Sequence, residues 1–322
     1  MKTVFVTGGA GYVGSHSCKA FYKAGWKVIT YDNLSRGWRE AVKWGPLLEG
    51  DVGEERAVAA ALATARPDLV VHFAAYTYVG ESIERPDIYY RNNTAATLVL
   101  LEAMRRVNIK NIVFSSTCAS YGIPTSLPID EAHVQLPINP YGWSKMIIER
   151  MLEDYSNAYG FNTVALRYFN AAGGDPEGEI GERPGPEPRA IPRAVATALN
   201  KETFIVNGIE FDTHDGSAVR DYVHVTDLAR AHVLAAEMIG QRSGTHVFNL
   251  GTGVGTSVLE VLAAVQRASG TKIQVRIGPA RRGDPPVLVA AAGKAKRELG
   301  WVPELSIDRI VETALAWQRS LR

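Results

Sequence analysis

Short apolar runs and helical stretches alternate along the first half of the chain. "TVFVTGG" reads as a strand that ends in glycines, and "GSHSCKAFYKAG" follows with helical spacing up to Gly25. "KVITYDN" predicts a second strand, and "EGDV" at residues 49–52 ends a third. "DLVVHFAA", "NIVFSST" and "TVALRYFN" predict three more, with helices such as "IYYRNNTAATLVLLEAMRRV" between them. Strands that are apolar on both faces and alternate with helices predict an α/β fold on a parallel sheet. The pattern changes after Asn170: "AAGGDPEGEIGERPGPEPRAIPRA" is rich in Gly, Pro and Glu and reads as a loop rather than a sheet element. A loop of that length inside a compact chain is functional or mobile, and it marks the passage into a second, smaller lobe. "THVFNLGTG" near residue 250 again resembles a strand of the first sheet. The expected division is therefore 1–169, with later strand and helix contributions near 220–250, and 170–322. No internal repeat or low-complexity tail interrupts it.

Bulk properties narrow the function classes. The chain has 322 residues, 46% hydrophobic and 21% charged, with a formal net charge of +1. Such a balance gives no global field for nucleic acid. Cys18 and Cys118 lack metal-ligand spacing and make no disulfide framework, which fits a reducing compartment. No run of 18 apolar residues suggests a membrane span, and "MKTVFVTGG" lacks the features of a signal peptide. The expectation is a cytoplasmic protein without a metal.

Gly8, Gly11 and Gly14 sit directly after the first strand and at the start of a helix. Glycines there permit a tight turn and close approach of backbone to a pyrophosphate, whose charge the helix N-terminus favours. Asp32 ends the next strand, where a carboxylate accepts hydrogen bonds from ribose hydroxyls and repels a 2′-phosphate. This is a Rossmann-type dinucleotide signature that favours NAD over NADP, although Arg36 keeps NADP open. Asp51 is either an adenine contact or an ordinary strand-end aspartate. His72, inside an apolar run, reads as a satisfied core histidine.

"NIVFSSTCASYG" runs into small hydroxyl residues at a strand end, where sheets of this type face their ligand crevice. Ser115, Ser116 and Thr117 are placed to meet a sugar or a nicotinamide, or else to make the turn. "NPYGWSK" then sets Tyr141 and Lys145 four residues apart on a helix face. A cation beside a phenol would stabilise the phenolate and make the tyrosine a base near neutral pH.

Together "VTGGAGYVGSH", "YDNLSRG", "VHFAA", "VGES", "YYRNN", "FSSTCASYG", "NPYGWSK", "LRYFNAAG", "VRDYVHVTDLA", "NLGTGVGTSVLEV" and "PARRGDPP" run in order over nearly the whole chain. In this combination the sequence resembles the extended short-chain dehydrogenase/reductase family, and within it the UDP-glucose 4-epimerase group. The resemblance implies a Rossmann-type doubly wound parallel sheet with a smaller, mixed C-terminal lobe for a UDP-sugar. It implies NAD-dependent 4-epimerisation, chiefly of UDP-glucose and UDP-galactose, by transient oxidation at C4, turning of the 4-keto sugar and return of the hydride. Other UDP-sugars, pentose or N-acetylated, and net oxidoreduction of a nucleotide sugar are the alternatives. By the same resemblance Tyr141, Lys145 and Thr117 are catalytic. Gly8, Gly11, Tyr12, Val13, Gly14, Asp32, Asn33, Asp51, Val52, Phe73, Ala74, Ala75, Asn92, Ser115, Tyr141, Lys145 and Phe169 hold NAD. Thr117, Asn170, Arg220, Arg281 and Asp284 hold the UDP-sugar, and the helices near 88–107 and 141–158 form a homodimer.

Several positions depart from the family pattern. Thr117 stands where many relatives have serine. Cys118 and Ala119 stand where related dehydratases carry an Asp-Glu pair, which disfavours elimination; Cys118 itself reads as a small buried residue. Thr77 replaces a lysine and Asn207 an aromatic found in several relatives, and Leu288 occupies a position that tunes pocket width. "NLGTGVGTS" reads as a helix-start turn with Thr256 or Ser257 near the cap, not a second dinucleotide site.

Overall fold

The computed structural model describes residues 1–183, 185, 189–280 and 284–322. Strands β1 (Thr3–Thr7), β2 (Lys27–Asp32), β3 (Leu47–Glu49), β4 (Leu69–His72), β5 (Asn111–Thr117) and β6 (Asn162–Tyr168) belong to one sheet. Strands β7 (Asn170–Ala172), β8 (Thr203–Asn207) and β9 (Val219–His224) lie outside it, and β10 (Thr245–Leu250) returns to it. The last strands are β11 (Gly255–Ser257), β12 (Gln274–Gly278) and β13 (Val287–Leu288). The large sheet runs β10-β6-β5-β4-β1-β2-β3 and is parallel throughout. Its order reverses at β1, which lies between β4 and β2. That is the switch point where sheets of this kind open a crevice at the carboxyl ends of their strands.

Helices α1 (Tyr12–Lys23), α2 (Glu55–Ala65), α3 (Val79–Glu84), α4 (Pro86–Tyr89), α5 (Ala96–Arg106) and α6 (Pro140–Tyr159) come from the first half. Helices α7 (Ala190–Asn200), α8 (Val225–Ile239), α9 (Val258–Ser269), α10 (Gly293–Leu299) and α11 (Ile307–Ser320) follow. One buried cluster joins Val4, Val6, Phe21 and Val71 to Leu228, Ala231 and Ala235 of α8; a second joins Phe5, Val58, Leu62, Leu100 and Met104 to Ile148 and Leu152 of α6. The sheet is thus covered on both faces, which explains its continuously apolar strands.

Local chemistry sets the ends of the helices that matter. Asn139 caps α6: its side chain accepts the Gly142 N–H at 2.8 Å, Pro140 supplies a preset first turn, and Gly160 ends the helix with φ +68°. Ser257 caps α9 in a reciprocal capping box with Glu260.

Three sequence expectations need correction here. The stretch after Asn170 is not loop from its first residue, because Ala171 and Ala172 continue β7, which pairs in parallel with β9. "NLGTGVGTS" does start a helix at Ser257, but residues 255–257 also pair with β9 as a strand. The helical run before α5 contains a π-helical segment, Tyr90–Ala95, in place of a uniform helix. It brings Asn93 inward, where its Oδ1 accepts the Tyr76 N–H at 2.8 Å and its Nδ2 donates to Ser144 Oγ at 3.0 Å. Such widened turns recur at functional sites.

Candidate active site

The turn after β1 explains its glycines separately. Gly8 adopts φ +71°, and a Cβ there would lie 2.5 Å from the Ala74 backbone nitrogen. A Cβ on Gly14 would lie 2.2 Å from the Gly8 carbonyl oxygen. The Gly11 N–H closes the turn on that carbonyl at 3.1 Å. Gly11 caps α1 without any side-chain hydrogen bond, and the first turn carries no acidic residue. The N-terminal N–H groups and the positive end of the helix dipole therefore face outward, as an anion requires. Asp32, buried at the end of β2, accepts the Ala10 N–H at 3.0 Å and the Leu34 N–H at 2.8 Å. A carboxylate has room for further donors on both oxygens, so a ribose hydroxyl can still be accepted. Burial raises its pKa, and the two backbone donors oppose that rise.

A cavity over this turn brings together Gly8, Gly11, Asp32, Asn33, Val52, Phe73, Ala74, Ala75 and Asn92. It adjoins a cleft of about 570 Å³ lined by Tyr12, Val13, Gly14, Ser115, Thr77 and Tyr168 among others. These surfaces fit a dinucleotide: an uncapped helix end, a cradle that any Cβ would fill, and a buried carboxylate. Asp51 and Phe169 are not among these lining residues, although Asp51 stands between Gly50 and Val52, which are. Asp51 turns its carboxylate to Asn33 Nδ2 at 2.6 Å and to the Gly53 N–H at 2.7 Å. Phe169 packs into a buried cluster with Cys118, Tyr121, Ile129 and Ala290, against which Leu288 also rests.

Thr117 ends β5, and Tyr141 and Lys145 approach from α6. All three are at least nine-tenths buried. Thr117 Oγ1 accepts the Ala119 N–H at 3.1 Å. Lys145 Nζ donates to the Ser115 carbonyl at 2.8 Å and stands 4.7 Å from the Phe114 ring centroid. Burial pushes the Tyr141 phenol up to about 12, against the lowering effect of the Thr117 hydroxyl and of Arg189. Burial pushes the Lys145 ammonium down to about 7, and Glu149 alone opposes it. In the protein by itself, burial is the largest influence on both groups and favours their neutral forms.

Below this pair lies a buried polar network. Arg167 Nε sits 3.0 Å from each Glu149 carboxylate oxygen, and its Nη1 donates to the Tyr121 hydroxyl at 2.9 Å. Ser116 and Gln135 also donate to Glu149. His72 is a core histidine as expected, bridging Thr7 at 2.6 Å and Thr97 at 2.8 Å. Cys118 is buried, and burial pushes its thiol up to about 12, which disfavours the thiolate a nucleophile needs.

On the opposite side, Asn170 opens β7 with a buried Nδ2 that has no partner among the described residues. An orphaned amide there is ready for a ligand acceptor. Arg220 is mostly buried and forms an ion pair with Asp284, which brings two of the sequence candidates together. Arg281 lies outside the described residues. Thr77 is exposed at the cleft, and Asn207 ends β8.

Sequence reasoning passed over Arg189 and Glu182, and it allowed Tyr168 a place at the site while taking core packing as its default. Arg189 lines the cleft before α7, 3.6 Å from Glu182 and 5.6 Å from the Tyr12 ring centroid. The Gly/Pro/Glu-rich loop was the signal for the first two. Tyr168, at the end of β6, hydrogen-bonds the Ser115 hydroxyl. Among the described residues, the one carboxylate trio close enough to share a cation is Asp175, Glu177 and Glu179. The Lys19 ammonium lies 2.7, 3.0 and 2.6 Å from them and ties α1 to the cleft loop. No helix among the described residues is long and apolar enough to cross a membrane.

The NAD dependent epimerase/dehydratase family profile matches residues 4–251. UDP-glucose 4-epimerase of Rhizobium leguminosarum bv. trifolii is 46% identical over 98% of this chain and 97% of its own. The crystal structure of UDP-glucose 4-epimerase from Brucella ovis in complex with NAD is 46% identical, covers 98% of each chain and superposes with a TM-score of 0.95. That from Bifidobacterium longum in complex with NAD+ and UDP is 40% identical over 99% of this chain and 98% of its own, with a TM-score of 0.95.

Proposed function

The chain belongs to the NAD dependent epimerase/dehydratase family, and on that footing we propose that it interconverts UDP-glucose and UDP-galactose. The observation that carries this reading is the meeting of two features: a hydroxyl pair, Tyr141 and Thr117, at the carboxyl end of β5, whose Ser115 lines the cleft, and an uncapped helix end fitted to a dinucleotide. NAD, when bound, supplies the hydride acceptor and donor at C4. The glycine turn and the α1 N-terminus hold its pyrophosphate, and Asp32 takes its ribose hydroxyls. Tyr141 Oη removes the proton of the sugar 4-hydroxyl and returns it after the sugar has turned. Thr117 holds that hydroxyl toward Tyr141, and Lys145, braced on the Ser115 carbonyl, fixes the cofactor side. Asn170, Arg220 and Asp284, with Arg281, hold the UDP. Cys118 and Ala119 offer no acid for elimination. Residues 1–169 with elements from 220–250 serve NAD in this reading, and 170–322 serve the UDP-sugar. The protein acts as a cytoplasmic homodimer, for which the exposed apolar side chains Leu98, Trp143 and Ile147 on α5 and α6 are the support.

Proton NMR of the anomeric region tests the reaction. UDP-galactose mixed with purified protein, without added NAD, is expected to give UDP-glucose to a stable ratio. No conversion, with or without NAD, would overturn the reading. The threonine is testable separately. Thr117→Ser should keep most of kcat, whereas Thr117→Val, which keeps the shape and loses the hydroxyl, should cost about tenfold to a hundredfold. Equal activities of the two variants in the same assay would remove Thr117 from the chemistry.

A further inference from the structure

Arg36 reaches across the switch point of the sheet. Its backbone follows β2, but its side-chain partners follow β4, and β1 lies between those two strands. The guanidinium stands 4.5 Å from the Tyr76 ring centroid and 5.2 Å from that of Tyr78. Its Nη2 donates to Glu81 Oε1 at 2.6 Å. Glu81 is itself fixed, because its other oxygen lies 2.8 Å from the hydroxyl of the fully buried Tyr89. Arg36 is therefore a cation held in one place over the end of β1. It lines both the cavity above the glycine turn and the adjoining cleft, as do Gly8 and Gly11. No other residue described around that cavity carries a positive charge. Among the described residues Glu81 is the one hydrogen-bond acceptor it uses, so Nε and Nη1 keep donors for a ligand.

We infer that Arg36 is a cofactor-binding residue that clamps the pyrophosphate of NAD, with Tyr76, Tyr78 and Glu81 holding its side chain in place. The inference rests on the reading of the chain as an NAD enzyme. A pyrophosphate brings two negative charges to the glycine turn, and the helix dipole answers about half of one. A planar guanidinium that is already ordered supplies most of the missing charge and directional donors at little further cost in side-chain entropy. The adenosine ribose belongs at Asp32, on the β2 side. An arginine serving a 2′-phosphate would stay there, whereas Glu81 and the two tyrosines draw this one to the opposite wall.

The test follows the release of NAD from the holoenzyme after dilution, with free NAD assayed in the ultrafiltrate at low and high salt. Arg36→Met keeps an apolar stem on the tyrosines and removes the charge. Release is expected to accelerate tenfold or more, the loss of one charge-assisted contact to phosphate. Its salt dependence should flatten, and Arg36→Lys should recover part of both. Release at the wild-type rate would overturn the inference, and is also what a 2′-phosphate role predicts. Faster release with an unchanged salt dependence would overturn it too, since that marks loosened packing. Wild-type protein that takes up no NAD even when supplied would instead overturn the NAD reading, and the inference with it.

Discussion

Replacing Tyr141 by phenylalanine will lower kcat for UDP-galactose by about 10²–10⁴-fold while leaving the fold intact. The ring is already a packing element: it meets Tyr89 edge-on at 6.5 Å between centroids, and phenylalanine keeps that contact. What goes is the single group placed to take the 4-hydroxyl proton. The pH profile carries a sign. Burial holds the phenol up to about 12, so its base form grows as pH rises, and wild-type kcat/KM should climb from pH 6 upward. Lys145, held down to about 7, loses its charge over the same range and works against the climb. Stopped assays of both proteins from pH 6 to 9 check this. A Phe variant that keeps more than a tenth of the wild-type rate would remove Tyr141 from the reaction.

Glu149→Ala should destabilise the protein by about 3–5 kcal/mol, the cost of stranding a buried arginine. Arg167 is 5% exposed, and its principal acceptors are the two oxygens of Glu149. Ser116 and Gln135 would lose their acceptor as well. The paired change Glu149→Leu with Arg167→Met should recover most of the loss, because the cost lies in the stranded charge rather than in the value of the pair. Urea titrations of the three proteins measure it. A loss below about 1 kcal/mol for the single variant would mean that water reaches Arg167.

Much of this site was legible in the sequence because the chemistry is local. The glycine turn, its strand and its helix occupy consecutive residues, and Asn139-Pro140 marks the start of the helix that carries Tyr141 and Lys145. Contacts fixed by tertiary packing were not legible. Arg36 meets Glu81 across 45 residues, and Lys19 meets the acidic loop across more than 150. The burial of Lys145 was not legible for the same reason. Spacing places an ammonium near a phenol, but the elements packed over α6 decide how much water either group sees. The strand at Asn170–Ala172 was hidden because its partner lies some 50 residues further on.

The placement of β10 bears on how the chain is made. The large sheet ends on that strand, and β6, its neighbour, is finished about 80 residues earlier in the chain. At synthesis rates of roughly 5–20 residues per second, β6 waits about 4 to 16 s with one edge unpaired. An unpaired, apolar strand edge is a template for the wrong partner. During that interval the ribosome-bound chain is open to pairing with another nascent copy, and chaperone demand should peak there rather than at the end of translation.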